Sequence, residues 1–256
     1  MKDVQSEKDQ RNIYLNEVGI KDLYFPIEIK NGEGEWIPVT ASISMYADLD
    51  ADQKGTHMSR FVEIIQENHQ MDIVHMKKIL QEIREKLNAE TSYLHVLFDY
   101  FVWKEAPVTH LESYLKVGVE YYVVLRGDDE LEFNLTVHTP VNTLCPCSKA
   151  ISESSAHNQR AIVSITVKTD RFLWIEDLVD IAEQSGSSPV YTLLKRPDEK
   201  FVTEYAYDHP KFVEDVARDA KMKIDEIPVV REYVIEVESC ESIHNHSAYA
   251  RVVGKK

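Results

Sequence analysis

Tyr114-Leu-Lys-Val-Gly-Val-Glu-Tyr-Tyr-Val-Val-Leu-Arg126, then Gly127-Asp-Asp129, then Glu130-Leu-Glu-Phe-Asn-Leu-Thr-Val137, is the stretch that decides the fold. Leu115, Val117, Val119, Tyr121, Val123 and Leu125 recur at every second position, which lines one face of a strand. Arg126-Gly-Asp-Asp129 is a turn signal, and Leu131, Phe133, Leu135 and Val137 resume the alternation. That is the pattern of an antiparallel hairpin.

Working upstream, Leu23 to Ile29 reads as a short strand, and the turn Asn31-Gly-Glu-Gly34 leads into a strand over Trp36–Asp48. Phe61, Ile64 and Ile65 form the apolar stripe of one helix; Ile73, Met76, Leu80, Ile83 and Leu87 form that of a second. A strand over Ser92–Trp103 precedes the hairpin. Downstream, strands over 130–139 and 160–168 flank a cysteine-bearing loop, and a helix spans Ile175–Glu183. The connection 186–208 reads as long and irregular, followed by a helix over Pro210–Lys223. Tyr233, Ile235 and Val237 mark a strand, and Ala248–Val253 supplies the last. The order ββααββ occurs twice without sequence identity between the halves. This predicts an α+β fold of two modules with open antiparallel sheets: an N-terminal arm over 1–22, one module over 23–128 and a second over 129–256. Uncovered edges of such sheets favour self-association.

A chain of 256 residues with 43% hydrophobic and 29% charged residues has the composition of a water-soluble globular protein. No apolar run approaches the roughly 18 residues of a membrane span. The N-terminus Met-Lys-Asp-Val-Gln-Ser-Glu-Lys-Asp has no signal-peptide core, and three cysteines make no disulfide framework, so a cytoplasmic protein is expected. A net charge of −15 argues against long nucleic acid, which needs a broad basic surface, but leaves a single nucleotide open.

Chemistry concentrates in Pro140-Val-Asn-Thr-Leu-Cys145-Pro146-Cys147-Ser148-Lys149-Ala-Ile-Ser-Glu-Ser-Ser-Ala-His157-Asn-Gln-Arg160. Pro146 stiffens the backbone between two thiols, which divides their labour: one sulfur for a metal, the other for a substrate. Cys145, His157 and Glu199 make a candidate metal set, because thiolate, imidazole and carboxylate suit zinc and related ions, and three ligands leave a position open. The plainer alternatives are a hydrogen-bonded loop histidine and a solvated loop carboxylate. Cys147 is the candidate substrate-facing thiol, with Lys149 and Arg160 as nearby cations to favour its thiolate. Cys240 reads as a core residue. His244 and His246, two apart in an extended segment, can turn both rings to one side for proton transfer, with Glu241 placed to orient one of them. Lys54-Gly-Thr-His57-Met-Ser-Arg60 leads into a helix N-terminus, a natural anion site, without Walker-loop spacing.

Leu144-Cys-Pro-Cys-Ser-Lys149 with Ala156-His-Asn-Gln-Arg160 resembles the signature of the prokaryotic type IB GTP cyclohydrolase I family. Asp3-Val-Gln5, Lys54-Gly-Thr-His-Met-Ser-Arg-Phe61, Lys195-Arg-Pro-Asp-Glu199, Phe212-Val-Glu-Asp-Val216 and Glu241-Ser-Ile-His-Asn-His246 match in order over nearly the whole chain. The resemblance implies a bimodular tunnelling fold with paired helices on one face of each sheet, assembling as a homotetramer with active sites near subunit interfaces. It implies a divalent metal (zinc, manganese or iron) at Cys145, His157 and Glu199, and GTP as substrate, with water yielding 7,8-dihydroneopterin triphosphate and formate. It gives Cys145, Cys147, His244 and His246 catalytic roles and makes Glu214 the anchor of the guanine edge, where propensity alone reads a solvated helix carboxylate. His57, Arg60, Lys149, Arg160, Lys195 and Arg196 are the donors and cations from which triphosphate contacts are drawn. The rivals are a deazaguanine nitrile reductase using NADPH and a non-catalytic purine- or metal-binding module.

Overall fold

The structure, a computed structural model, describes residues 5, 7–169, 171 and 173–256; Asp3 and Val4 of the N-terminal match lie outside them. Elements run β1 (Leu15–Lys30), β2 (Trp36–Leu49), α1 (Met58–Glu67), α2 (Ile73–Leu87), β3 (Ser92–Glu105), β4 (Glu112–Leu125), β5 (Leu131–Leu144) and α3 (Pro146–Ile151). There follow β6 (Asn158–Thr169), α4 (Ile175–Ser185), β7 (Ser188–Pro189), α5 (Arg196–Asp208), α6 (Val213–Asp225), β8 (Val230–Cys240) and β9 (Ser247–Lys255). Among the described residues, no helix is long and apolar enough to cross a membrane.

The expected fold, a bimodular tunnelling fold with two ββααββ modules and separate sheets, is corrected. Among the described residues, the strands form one nine-stranded antiparallel sheet in the order β1-β2-β3-β4-β5-β6-β8-β9, with β7 paired to β5. The hairpin that announces β4 and β5 is the reason. Arg126 N–H bonds to the Glu130 carbonyl at 3.1 Å, so the last strand of one repeat becomes the neighbour of the first strand of the next. A strand edge in reach of another is more stable paired than solvated.

Cα packing divides the chain into two compact units: residues 1–98 with 120–134, and residues 99–119 with 135–256. In the first, Ala41, Ile43 and Met45 of β2 and Leu94 and Val96 of β3 are fully buried together with Phe61, Ile64, Ile65, Ile79, Leu80 and Ile83 from α1 and α2. β1 begins at Leu15, not at Leu23, because a register irregularity between Ile20 and Leu23, with Asp22 at φ 56°, breaks the alternation that would have revealed its start. Gly19 allows the close pairing there, since a Cβ would stand 1.9 Å from the Met45 carbonyl oxygen.

In the second unit, Val163, Ile165 and Val167 of β6 and Tyr233, Ile235 and Val237 of β8 are buried, in register Val163↔Val237 and Ile165↔Ile235. Leu178, Val179 and Ala182 of α4 and Val216, Ala217 and Ala220 of α6 are buried with them. Two elements depart from the sequence reading. The connection 186–208 carries β7 and the thirteen-residue α5, whose buried side chains are only Asp198 and Ala206, so no apolar stripe marks it. The cysteine loop contains α3, opened by Pro146 at its first position. Cys240 is exposed, not a core residue, because the alternation of β8 turns Ser239 inward instead.

Candidate active site

Four chain segments of the second unit converge at the ends of β5, β6 and β8. β5 stops at Leu144 and Cys145 caps α3, its sulfur accepting the Ser148 N–H at 3.4 Å. Cys145 N–H bonds to the His157 carbonyl at 3.1 Å, and His157 N–H bonds to Ser148 Oγ at 3.0 Å, which closes the loop. Lys211 N–H bonds to the Leu144 carbonyl at 3.0 Å and brings the start of α6 against the same corner. Beyond β8, residues 242–246 run through bends.

These segments wall a cavity of about 260 Å³. Cys145, His157, Glu214, Glu241, His244 and His246 all line it. Its size, just below the usual range of roughly 300–1,000 Å³, suits a single heterocycle better than a whole nucleotide. His244 and His246 are not in an extended segment as the sequence implied. The bends nevertheless stack their rings, with centroids 5.2 Å apart and planes 15° from parallel. Glu214 stands in the first turn of α6, two residues after the aromatic Phe212 that precedes the helix.

The other residues singled out in the sequence lie elsewhere. Cys147 is exposed on α3 and does not line the cavity. Lys149 stands 4.2 Å over the Tyr207 ring, and its ammonium donates to the Tyr207 carbonyl. Arg160, Lys195, Arg196 and Glu199 are exposed, the last in the first turn of α5. Its neighbour Asp198 is fully buried. Burial alone would raise the Asp198 pKa, but hydrogen bonds from the Thr109 hydroxyl and from the Lys195, Thr109 and Val108 amides outweigh it and hold the carboxyl far below its ordinary range. His57 and Arg60 belong to the first unit, where they line a separate cavity of about 230 Å³ with Gln5, Gln53, Gly55, Thr56 and Leu87.

The donor set at the larger cavity bears on a metal. Cys145 and His157 offer the thiolate and imidazole that zinc, manganese or iron accept, and both ring and thiol belong to one closed loop. Glu199 is not on that wall, and among the described residues no three histidine, cysteine or carboxylate side chains stand together at metal-binding spacing. The cavity also has lining residues that the sequence reading missed: Thr143, Gln159, Lys211, Phe212, Val213, Ala248 and Tyr249. Gln159, Phe212 and Val213 sit inside the matched motifs and the other four within three residues of one, so proximity in sequence was the available signal. Lys211 contributes little free charge, since its ammonium bonds to Asp219 Oδ2 at 2.7 Å and the Ser185 carbonyl at 3.0 Å.

Paired imidazoles, a thiol and two carboxylates around one cavity make a candidate enzyme active site on an antiparallel sheet. A family model described as type I GTP cyclohydrolase folE2 matches residues 1–250. The chain is 49% identical over 251 residues to the GTP cyclohydrolase FolE2 of Fervidobacterium nodosum, covering 98% of this chain and 96% of the relative. It is 50% identical over 252 residues to that of Thermotoga maritima, covering 98% and 96%. The chain belongs to the type I GTP cyclohydrolase folE2 family and is an enzyme of that activity.

Among solved structures, the uricase from Arthrobacter globiformis has a TM-score of 0.58 at 8% identity, covering 94% of this chain and 93% of that one. The uricase from Bacillus fastidious has a TM-score of 0.54 at 10% identity, covering 96% and 94%. At such identities the likeness is one of fold alone. The assignment drawn from the motifs, a type IB GTP cyclohydrolase I of the tunnelling-fold kind, is corrected accordingly: the matching family is folE2, and the similar folds are those of uricases.

Proposed function

We propose that this chain opens the guanine imidazole ring of GTP with water, releasing formate and yielding 7,8-dihydroneopterin triphosphate. The observation that carries this is the gathering of Cys145, His157, Glu214, Glu241, His244 and His246 around one cavity in a member of this family. Glu214 accepts parallel N–H bonds from guanine N1 and its 2-amino group, a geometry a carboxylate is suited to. Phe212 and Tyr249 give the cavity aromatic walls. His244 and His246 hold the proton that the ring nitrogen receives when its bond to C8 breaks. The exposure of Cys147 leaves its thiol accessible for a substrate-facing role.

Cys145 and His157, on the cavity wall, would hold a divalent ion (zinc, manganese or iron), and Glu199, which lies off that wall, would have to reach it as the third ligand. When bound, the ion supplies Lewis-acid activation of water. Arg160, Lys195 and Arg196, all exposed, together with Lys149, supply the triphosphate contacts in the second unit. The open strands at the ends of the sheet order, β1 and β9, support assembly as a homotetramer. Free cysteines support a reducing cytoplasm.

Incubation of the purified protein with GTP tests the reading. Formate release that a chelator abolishes and added zinc or manganese restores is the expected result. Tight GTP binding without formate, or NADPH consumption with a deazaguanine nitrile, overturns it. In the same assay Glu199→Gln tests the third ligand: a metal requirement unchanged in concentration removes Glu199 from the set.

A further inference from the structure

We infer that Gln159 is a positioning residue of this site: its side-chain amide fixes the tautomer of His157 and ties that ring to Glu241. This rests on the cavity being catalytic, but the geometry behind it stands independently.

The register of the sheet brings the partners together. Ala161 pairs with Ser239, so the antiparallel ladder carried two residues further sets Gln159 opposite Glu241. Ser239 and Glu241, two apart, share a face, and the Ser239 hydroxyl donates to Glu241 Oε1 at 3.1 Å. Gln159 Nε2 lies 3.3 Å from Glu241 Oε1 and 3.3 Å from Thr143 Oγ1. Gln159 Oε1 lies 2.9 Å from His157 Nδ1. The surroundings are shielded, with Thr143 1% and Ser239 0% exposed.

Each group has a restricted repertoire, and the repertoires determine one arrangement. An ionised carboxylate only accepts, so the NH2 end of the Gln159 amide faces Glu241 and the carbonyl end faces His157. A carbonyl oxygen only accepts, so Nδ1 of His157 carries the proton. A neutral imidazole then has its lone pair on Nε2 alone. The Thr143 hydroxyl completes the set, accepting from Gln159 Nε2 and turning its own proton toward the Gln159 backbone carbonyl at 3.4 Å. The reversed amide would set two acceptors, Gln159 Oε1 and Glu241 Oε1, against each other. Without Gln159, Nδ1 is left with Ser242 Oγ at 3.5 Å and Glu241 Oε2 at 4.0 Å, neither of which holds the ring as firmly. The consequence is a histidine whose Nε2 is kept as a lone pair for an ion or a substrate proton, and whose orientation is set from behind.

The test uses Gln159→Leu and Gln159→Glu in the full chain. Long-range 15N–1H correlation of the His157 ring, in metal-free protein well above the ordinary histidine titration range, reads the tautomer; competition against a chromophoric chelator reads zinc affinity. The wild type is expected to show His157 protonated at Nδ1. Q159L is expected to mix the two tautomers and to bind zinc about 10- to 100-fold more weakly. Q159E, which keeps an acceptor for Nδ1–H, is expected to retain the tautomer and zinc affinity within a few fold, yet to lose turnover through repulsion of Glu241. A wild-type ring protonated at Nε2, or a Q159L protein unchanged in both tautomer and zinc affinity, overturns the inference. Neither measurement depends on turnover, so a protein that released no formate from GTP would sink the functional reading while leaving this one to its own result.

Discussion

Asp198 and Thr109 meet through two hydrogen bonds: one carboxylate oxygen accepts the Thr109 N–H at 2.8 Å, the other the Thr109 hydroxyl at 2.7 Å. The same carboxylate takes the Val108 and Lys195 amides, each at 2.9 Å. It thereby clamps the β3–β4 connection to the start of α5. An amide cannot serve four donors, since its NH2 meets them donor to donor. Asp198→Asn is expected to lower the melting temperature by about 5–10 °C. The carboxyl is held below its ordinary range, so its stabilisation is complete above the unfolded-state value near 4 and is lost on acidification below that. Melting curves of wild type and variant at neutral pH and on acidification check both statements.

Asp72 repeats this logic on a smaller scale in the first unit. Burial would raise its pKa, but the His75 amide, Lys30 and the His75 ring bring it down to about 2. Its carboxylate caps α2 through the His75 N–H at 3.0 Å. Asp72→Ala is expected to cost about 1–2 kcal/mol at neutral pH. That difference persists down to the ordinary carboxylate pKa near 4 and fades as pH falls through about 2. Denaturant midpoints of both proteins across that window are the measurement; a gap that does not narrow is the contrary result.

Glu214→Gln removes the ionised acceptor proposed for the guanine edge. A charged hydrogen bond is worth about 1.5–3 kcal/mol, so kcat/KM for GTP is expected to fall about 10- to 100-fold. Inosine triphosphate, which lacks the 2-amino group, is the control: the ratio of wild type to variant shrinks with it. An equal loss on both nucleotides would mean that Glu214 does not read that group.

The stacked His244 and His246 rings are 5.2 Å apart, close enough to address one substrate atom. Replacing the acid among them with alanine is expected to reduce kcat by about 10²- to 10⁴-fold with a smaller change in KM. Because they act as a unit, the double variant is expected to be little worse than the more damaged single one. Two single variants that both retain kcat within twofold of wild type would remove proton transfer from this pair.

The strands were legible because alternation is a local property. Val117, Val119 and Val123 on β4 and Tyr233, Ile235 and Val237 on β8 are buried as their spacing predicts. α1, α2, α4 and α6 were legible for the same reason at helical period. α5 was not, because Lys195–Asp208 has no apolar stripe and is held by Asp198, a polar contact to a loop distant in sequence. Of the candidate site, the cysteine loop and the His244–His246 pair were visible as motifs, whereas Gln159 passed unnoticed inside one of them.

Local spacing in the amino-acid string therefore determined the strands and most helices, since each depends on neighbours within a few residues. Tertiary structure decided that the two repeats share one sheet, that Cys145, His157, Glu214, Glu241, His244 and His246 surround one cavity while Glu199 faces solvent, and that Gln159 meets Glu241. Those outcomes depend on strand pairing and register between residues far apart in the chain, and no periodicity of a single segment encodes them.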